Sequence, residues 1–127
     1  MKNTVIVADD AELIVNIMKK ALEDEYNVIS AKDGREAIDA LSMSNNIVCM
    51  LLDLNMPVYN GFMVLDYFKD NDLFNKVPIF IISGDDSKDT IEKAFTYNIV
   101  DMLNKPFSVV NVKDAVNRAI NFRNNNN

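Results

Sequence analysis

The sequence predicts an α/β domain in which a parallel sheet is covered by helices on both faces. Five short apolar runs alternate with five amphipathic stretches along the 127 residues, and this alternation is typical of repeated strand–helix units. The chain is 49% hydrophobic and 25% charged, which is the composition of a globular domain. Its length suits one domain with a core of its own.

The apolar runs define the five predicted strands. The first, third and fourth are almost wholly apolar, as strands buried on both faces of a parallel sheet are. The second and fifth contain polar residues, and we expect them at the edges of the sheet. In chain order the predicted strands are Thr4–Ala8, Tyr26–Ala31, Ile47–Leu52, Val77–Ile82 and Ile99–Leu103.

The five helices are predicted from apolar residues that recur every three or four positions. Asp33 and Glu36 form a candidate capping box before the second helix. The Asn-rich residues 123–127 have no apolar anchor, so we expect a disordered tail or the start of a linker after a domain at residues 1–122. The predicted buried faces comprise Leu13, Ile14, Ile17, Met18, Ala21 and Leu22; Ala37, Ile38 and Leu41; Val64, Leu65 and Phe68; Ile91, Ala94 and Phe95; and Val112, Ala115, Val116, Ala119 and Ile120.

Composition excludes several classes of function. The chain has no histidine, which rules out histidine acid–base catalysis, a Ser-His-Asp triad and a phosphohistidine carrier. A single cysteine, Cys49, rules out an internal disulfide and a Cys-rich zinc site, and it is best interpreted as a small core residue. The net charge of −6 argues against direct nucleic acid binding. We expect no membrane span and no signal peptide, and therefore a cytoplasmic location.

Chemistry is predicted at the carboxyl edge of the sheet, where open parallel sheets bind their ligands. Asp9 and Asp10 follow the first strand, Asp53 the third, Ser83 the fourth and Lys105 the fifth. Two carboxylates about 4 Å apart at an effective dielectric of ~20 repel by roughly 4 kcal/mol, so three require a cation. Because the available ligands are oxygens, we expect Mg²⁺. Mg²⁺ beside a lysine and a hydroxyl suits a phosphoryl group, which a carboxylate can accept as an aspartyl-phosphate.

Each of these residues also has a simpler interpretation. Asp9 and Asp10 could cap the following helix, and Ser83-Gly84 could be a plain turn. It is their joint placement, at the ends of four predicted strands, that favours a common site.

The same residues resemble the receiver domain of two-component response regulators over residues 4–122. The matching motifs are Asp9-Asp10, Asp53-Leu54-Asn55-Met56-Pro57 with Gly61 downstream, Ser83-Gly84, and Lys105-Pro106-Phe107. The resemblance implies a flavodoxin-like (βα)5 three-layer sandwich with strand order 2-1-3-4-5. It also implies a signalling domain, not an enzyme with a substrate of its own.

The resemblance further implies a role for each residue at this edge. Asp53 would be the phosphoacceptor, and Mg²⁺ would be held by Asp10, Asp53 and the backbone carbonyl of Asn55, with Asp9 holding its waters. The phosphoryl donor would be the phosphohistidine of a sensor histidine kinase or phosphotransfer protein.

Ser83 would bond a phosphoryl oxygen, Lys105 would neutralise its charge, and the peptide before Pro106 would be cis. A conformational switch would then control a downstream effector or a fused output domain.

Three positions would tune this activity. Asn55 and Asp85 lie two residues beyond the phosphoacceptor and Ser83, where they would orient the water that removes the phosphoryl group. Met102 stands where the family usually has an aromatic switch residue, so the role of this position in switching is open.

The alternatives fit less well. A haloacid-dehalogenase-type phosphatase has its nucleophile in an Asp-x-Asp motif after the first strand, whereas here the two acids are contiguous and Asp53 follows the third strand. In a flavodoxin-like flavin binder, Asp9 and Asp10 would repel the flavin phosphate. A degenerate receiver that serves only for docking would lack acceptor residues that are all present here. Whether the domain acts alone or as the N-terminal part of a longer regulator is left open by the sequence.

Overall fold

The computed structural model describes residues 2–125. Strands and helices alternate along this range, as the sequence predicts. In chain order they are β1 Thr4–Ala8, α1 Glu12–Leu22, β2 Asn27–Ala31, α2 Gly34–Ala40, β3 Ile47–Leu52, α3 Gly61–Asp70, β4 Ile79–Ser83, α4 Lys88–Ala94, β5 Asp101–Asn104 and α5 Val109–Asn125.

The five strands form one parallel sheet in the order β2-β1-β3-β4-β5. The predicted strand order is therefore confirmed, and the two runs that contain polar residues do lie at the edges. Residues of α1 and α5 pack on one face of the sheet, and residues of α2, α3 and α4 pack on the other. This arrangement is the three-layer sandwich that the sequence predicts.

Three strands begin later than predicted, and β2 does so by one residue, at Asn27. β4 begins at Ile79 because Pro78, which has no N–H to donate to the ladder, precedes it. β5 pairs with β4 only from Asp101 onward, and before that point a single bond from the Val100 N–H to the Ile79 carbonyl joins the two segments.

The pairing of β1 with β3 contains a β-bulge. Thr4 pairs with Ile47 and Val5 with Cys49, so that Val48 is an extra residue on β3. Both Val48 and Cys49 consequently face the helices α1 and α5, while Ile47 and Met50 face α2 and α3. The alternation of side chains along β3 is therefore displaced by one residue at this point.

The core consists of two clusters separated by the sheet. Most of the predicted helix faces are buried in them, and Cys49 lies fully buried as expected of a core residue, where burial raises the pKa of its thiol to about 12. The expectation was wrong for Leu13, which is 71% exposed, and for Phe95, which is half exposed. Leu13 lies in the first turn of α1, beside the carboxyl edge of the sheet, and Phe95 is the C-cap of α4.

The end of the chain also differs from the prediction. Residues 123–125 were expected in a disordered tail, but α5 continues through Asn125. Phe122 and Arg123 are half-buried, which holds the last turns of this helix against the protein. Asn126 and Asn127 lie outside the described residues.

Local contacts at helix ends follow the sequence closely. The carboxylate of Asp33 accepts a hydrogen bond from the Glu36 N–H at 2.9 Å, as an N-cap does. The carboxylate of Glu36 accepts a hydrogen bond from the Lys32 N–H. In a standard capping box it would accept from the N-cap residue, Asp33, which is one position later. None of the helices within residues 2–125 combines the length and the apolar character that a membrane crossing requires.

Candidate functional site

The predicted site residues meet at the carboxyl edge of the sheet. Asp9, Asp53 and Lys105 are the first residues after β1, β3 and β5, and Ser83 is the last residue of β4. Asp9 is 1% exposed, Asp53 4% and Ser83 0%, whereas Asp10 is open to solvent. The edge therefore holds two carboxylates removed from water, which is unfavourable unless opposite charge lies close by.

Lys105 provides part of that charge. Its Nζ donates to Oδ2 of Asp9 at 2.7 Å and lies 3.5 Å from Oδ2 of Asp53. Burial disfavours the charged amine, but the hydrogen bond to Asp9 and the negative charges of Asp53 and Asp9 outweigh it and raise the pKa of Lys105. The ammonium thus stays charged between the two acids. The sequence analysis placed Lys105 here but did not foresee its bond to Asp9.

The carboxyl group of Asp53 is buried beside Asp9 and Lys105. Burial raises the pKa of its carboxyl group, and the negative charge of Asp9 acts in the same direction. The N–H of Asn55, which donates to Oδ1 of Asp53 at 3.2 Å, and the nearby Lys105 lower this pKa and partly compensate the burial. A buried carboxylate in this setting is poorly hydrated and is positioned by its own loop.

Asp9, Asp10 and Asp53 form a group that could hold a metal ion. Each offers a carboxylate oxygen, and these oxygens lie within 4.8 Å of one another. An all-oxygen set of this kind fits a hard divalent cation such as Mg²⁺, which keeps several waters beside one or two carboxylates. The alternative, that Asp9 and Asp10 cap α1, is not what the structure shows. The N-cap of α1 is Ala11, and the backbone N–H that donates to Asp9 is that of Ala11 itself, which precedes the helix.

Ser83 is joined to the start of α4 through Asp85. The Ser83 hydroxyl donates to the carbonyl of Asp85 at 3.3 Å and accepts from the Asp85 N–H at 3.0 Å. The carboxylate of Asp85 accepts from the N–H of Ser87 at 2.9 Å and from the hydroxyl of Thr90 at 2.7 Å. These bonds lower the pKa of Asp85. The carboxylate for which the sequence predicts a role in orienting water is thus engaged with the first turn of α4.

Met102 lies half-buried in the edge strand β5. It pairs with Ile81 of β4 and packs against the cluster on the face of α2, α3 and α4. The structure therefore shows Met102 in ordinary strand packing, on the face of the sheet that α2, α3 and α4 cover.

An aromatic group that the sequence analysis missed links α4 to α3. The Tyr97 ring, just beyond α4, lies 6.4 Å from Phe62 and 6.5 Å from Phe74, and its hydroxyl donates to the carboxylate of Asp66. Burial and this hydrogen bond raise the pKa of Tyr97 to about 12. Lys93 of α4 lies 4.1 Å above the Phe62 ring. Because these residues come from separate elements, no local sequence pattern predicts that their side chains meet.

The loop from β3 to α3 packs tightly against the acceptor. The Gly61 N–H donates to the Leu54 carbonyl at 3.0 Å, and a Cβ at Gly61 would lie 2.5 Å from the carbonyl oxygen of Asp53. Val58, in the same loop, has a φ of 65° and is 92% exposed. On the opposite side of the site the Lys105–Pro106 peptide is cis, as the resemblance implies.

The fold and this edge define a doubly wound α/β domain built around a buried, charge-compensated carboxylate. Comparison with known proteins gives the family. The family described as "Response regulator receiver domain" matches residues 5–117, and the chain belongs to it. Receiver domains of this family act in phosphorelay signalling by two-component systems.

Individual proteins similar to this chain are also response regulators or receiver domains. The transcriptional regulatory protein SrrA of Staphylococcus aureus is 30% identical over 123 residues, which cover 93% of this chain and 49% of SrrA. The chain thus spans about half the length of the curated relatives it matches. A response regulator receiver domain protein from Clostridium thermocellum has a TM-score of 0.83 at 25% identity, covering 96% of this chain and 97% of that one. The Francisella response regulator 1452 receiver domain has a TM-score of 0.82 at 27% identity, with 94% and 98% covered.

Proposed function

We propose that Asp53 accepts a phosphoryl group from the phosphohistidine of a sensor histidine kinase or phosphotransfer protein, in a reaction that depends on Mg²⁺. The observation that carries this proposal is the geometry around Asp53. It is a buried carboxylate 3.5 Å from an ammonium and within 4.8 Å of two further carboxylates. Three carboxylates beside one ammonium form an all-oxygen set that suits a divalent cation, and such a cation would allow the buried carboxylate to meet a negatively charged phosphoryl group.

In the proposed transfer an oxygen of the Asp53 carboxylate attacks the phosphorus. The bond between phosphorus and the donor's imidazole nitrogen breaks, its electron pair stays on the imidazole, and that ring keeps or takes up one proton from water. The product is an aspartyl-phosphate. Since this chain has no histidine, the donor must be another protein or a small phosphorylated compound.

Asp10, Asp53 and the backbone carbonyl of Asn55 would hold the magnesium ion directly. Bound Mg²⁺ neutralises charge on the phosphoryl oxygens and orients them. Asp9 would bind the waters of the magnesium ion instead of the ion itself, and its contacts in the structure support this difference from Asp10. Its Oδ1 accepts from the Ala11 N–H at 2.9 Å and its Oδ2 from Lys105 at 2.7 Å, whereas Asp10 is exposed and open to coordinate.

Lys105 and Ser83 would respond to the new charge. Lys105 would shift from Asp9 toward a phosphoryl oxygen, which needs little motion because its Nζ already lies 3.5 Å from Asp53. Ser83 would turn its hydroxyl from the Asp85 backbone toward another phosphoryl oxygen. That rotation would break the two bonds between Ser83 and Asp85 and so release the β4–α4 loop, which would change the surface presented to a downstream effector or to an attached output domain.

Asn55 and Asp85 would control the lifetime of the aspartyl-phosphate, which the domain would hydrolyse itself. Both are short and polar, so they can admit and orient a water. The carboxylate of Asp85 already accepts bonds from Ser87 and Thr90, and its remaining lone pairs can accept a bond from a water. We expect a lifetime of the order of minutes, because a positioned water speeds the hydrolysis. The cytoplasmic location and the absence of direct nucleic acid binding also stay predictions.

Intact-mass spectrometry after incubation with acetyl phosphate and Mg²⁺ tests the proposal. We expect one phosphoryl adduct on the native protein, none on Asp53→Asn, and none when EDTA removes the metal. Asp89→Asn is the matched control, because Asp89 is exposed in α4 and far from the cluster in the chain. An adduct that persists in Asp53→Asn, or one that forms equally in EDTA, would refute the assignment.

A further inference from the structure

A cavity lies at the opposite edge of the sheet from Asp53. Its volume is about 710 Å³, within the range of roughly 300–1,000 Å³ typical of small-molecule sites. The floor comprises Ile47, at the start of β3, and Val77, just before β4, and both are buried. Leu41 and Leu73, from the loops that precede these two strands, form apolar walls. One strand length, roughly 20 Å for the six residues of β3, separates this cavity from the acceptor.

Arg123 reaches this cavity from the other side of the sheet. It belongs to α5, which packs with α1, yet its side chain lines a cavity otherwise formed by α2, α3 and the loops after them. Its Nε is shielded from solvent, and within residues 2–125 no acceptor forms a hydrogen bond with it. A buried donor of a charged group without a partner is unfavourable. The guanidinium, which lines the cavity, carries four further N–H donors, and an anion bound to them would place opposite charge beside this buried donor.

The charges around the cavity favour an anion. Lys76, which is exposed, lines the same space as Arg123. Asp39 also lines it, but none of the salt bridges found in the described part of the chain joins it to either cation. A guanidinium presents paired N–H donors that match a carboxylate or a phosphate.

We propose that this cavity binds a small organic anion, with its carboxylate or phosphate group on Arg123 and Lys76 and its apolar body on Leu41, Leu73 and the floor. A small molecule fits better than an extended peptide, because the lining comes from separate helices and loops around the space and offers no free strand edge. The site is distinct from the acceptor edge, so it does not depend on the phosphoryl chemistry proposed for Asp53.

Hexanoate and hexyl phosphate are suitable probes, since they combine the two acidic groups with one short apolar body. Titration calorimetry, together with ¹H–¹⁵N spectra, should show saturable binding of one or both, with shifts confined to residues that line the cavity. Which of the two binds more tightly distinguishes a carboxylate from a phosphate ligand. Hexanol and inorganic phosphate, each carrying half of the chemistry, should bind at least tenfold more weakly.

Arg123→Gln should weaken binding of the preferred anion at least tenfold. Lys113→Gln is the matched control, because it removes one exposed charge from the same helix, and it should change the affinity by less than twofold. If Arg123→Gln does not fold by circular dichroism, Lys76→Gln on the exposed loop replaces it with the same expectation. Asp53→Asn should bind as the native protein does, which separates this test from that of phosphorylation.

Three results would overturn the proposal. They are the absence of saturable binding by both anions, equal affinity of the native protein and the folded cation variant, and shifts that map to the acceptor edge or to exposed apolar residues elsewhere.

Discussion

Replacing Gly61 by alanine should strain the backbone of the phosphoacceptor itself. The added Cβ would lie 2.5 Å from the carbonyl oxygen of Asp53 and 2.6 Å from Cα of Leu54, where unstrained carbon contacts need about 3.5 Å. The neighbours must therefore yield by roughly 1 Å. They are main-chain atoms held by the bond from the Asp53 N–H to the Ala8 carbonyl and by the bond from the Gly61 N–H to Leu54, so they cannot simply rotate away.

Overpacking of this kind typically costs about 1–3 kcal/mol, and we expect the upper end because no flexible side chain absorbs it. For a domain of this size a loss of about 3 kcal/mol lowers the Tm by roughly 10 °C. The acceptor should also lose its alignment with the donor. Since a displacement of about 1 Å can cost around a hundredfold in rate, phosphorylation of Gly61→Ala by acetyl phosphate should slow by tenfold or more.

Gly84→Ala is the matched control. It lies in the loop after Ser83, its φ is not positive, and a Cβ there would meet nothing within 4 Å. This variant should gain up to about 1 kcal/mol from a less flexible unfolded chain. Thermal unfolding by circular dichroism and phosphorylation time courses on both variants give the comparison. If Gly61→Ala melts within about 2 °C of Gly84→Ala and is phosphorylated at the native rate, the steric reasoning is wrong.

Further predictions concern other elements. Val58→Gly should raise the free energy of unfolding by about 1 kcal/mol, because Val58 has a φ of 65° and a left-handed β-branched residue costs about 1–2 kcal/mol. Val58→Ala should gain less, and urea titrations that show equal gains would contradict this. The raised pKa of Tyr97, about 12, means that the unfolded phenol loses its proton near pH 10 while the folded one keeps it, so stability should fall between pH 10 and 12. Tyr97→Phe should remove that part of the loss, and an unchanged alkaline unfolding curve would refute the assignment. Met102→Tyr should leave the phosphorylation rate within about threefold, since the residue touches no reacting group. It should change the ratio of affinities of a kinase docking domain for the two phosphorylation states; an unchanged ratio in calorimetry would leave Met102 as strand packing alone.

Much of the acceptor edge could be predicted from the sequence, for a simple reason. In a parallel sheet the residues that follow each strand meet at one edge, so locating the ends of β1, β3, β4 and β5 was enough to bring Asp9, Asp53, Ser83 and Lys105 together. Small errors in where β4 and β5 begin did not matter, because the site depends on where strands end.

The features that could not be predicted from the sequence are side-chain contacts between elements that are distant in the chain. The bond from Lys105 to Asp9 spans 96 positions, and Arg123 comes to its cavity from the opposite layer of the fold. Periodicity also overestimated burial at Leu13, because an apolar stripe does not reveal that the first turn of its helix extends past the sheet. The engagement of Asp85 with Thr90 was likewise hidden, since the same residue types equally suit a free polar loop.

After the bulge in β3, the number of residues up to Asp53 decides on which face of the sheet the phosphoacceptor lies. A residue added to a regular strand exchanges its two faces, but the bulge absorbs Val48 as the extra residue, so the residues on either side of it keep their faces relative to β1. Met50, Leu52 and Leu54 therefore share the face toward α2 and α3, and Asp53 takes the opposite phase. Changes in chain length before Ile47 can be absorbed by the loop, and deletion of Val48 would only remove the bulge, because Ile47, Cys49 and Met50 would then alternate regularly on the faces they already occupy. The loop before Ile47 can thus change in length during evolution. The number of residues between the bulge and Asp53 is fixed, because one residue more or fewer would turn the phosphoacceptor to the other face of the sheet.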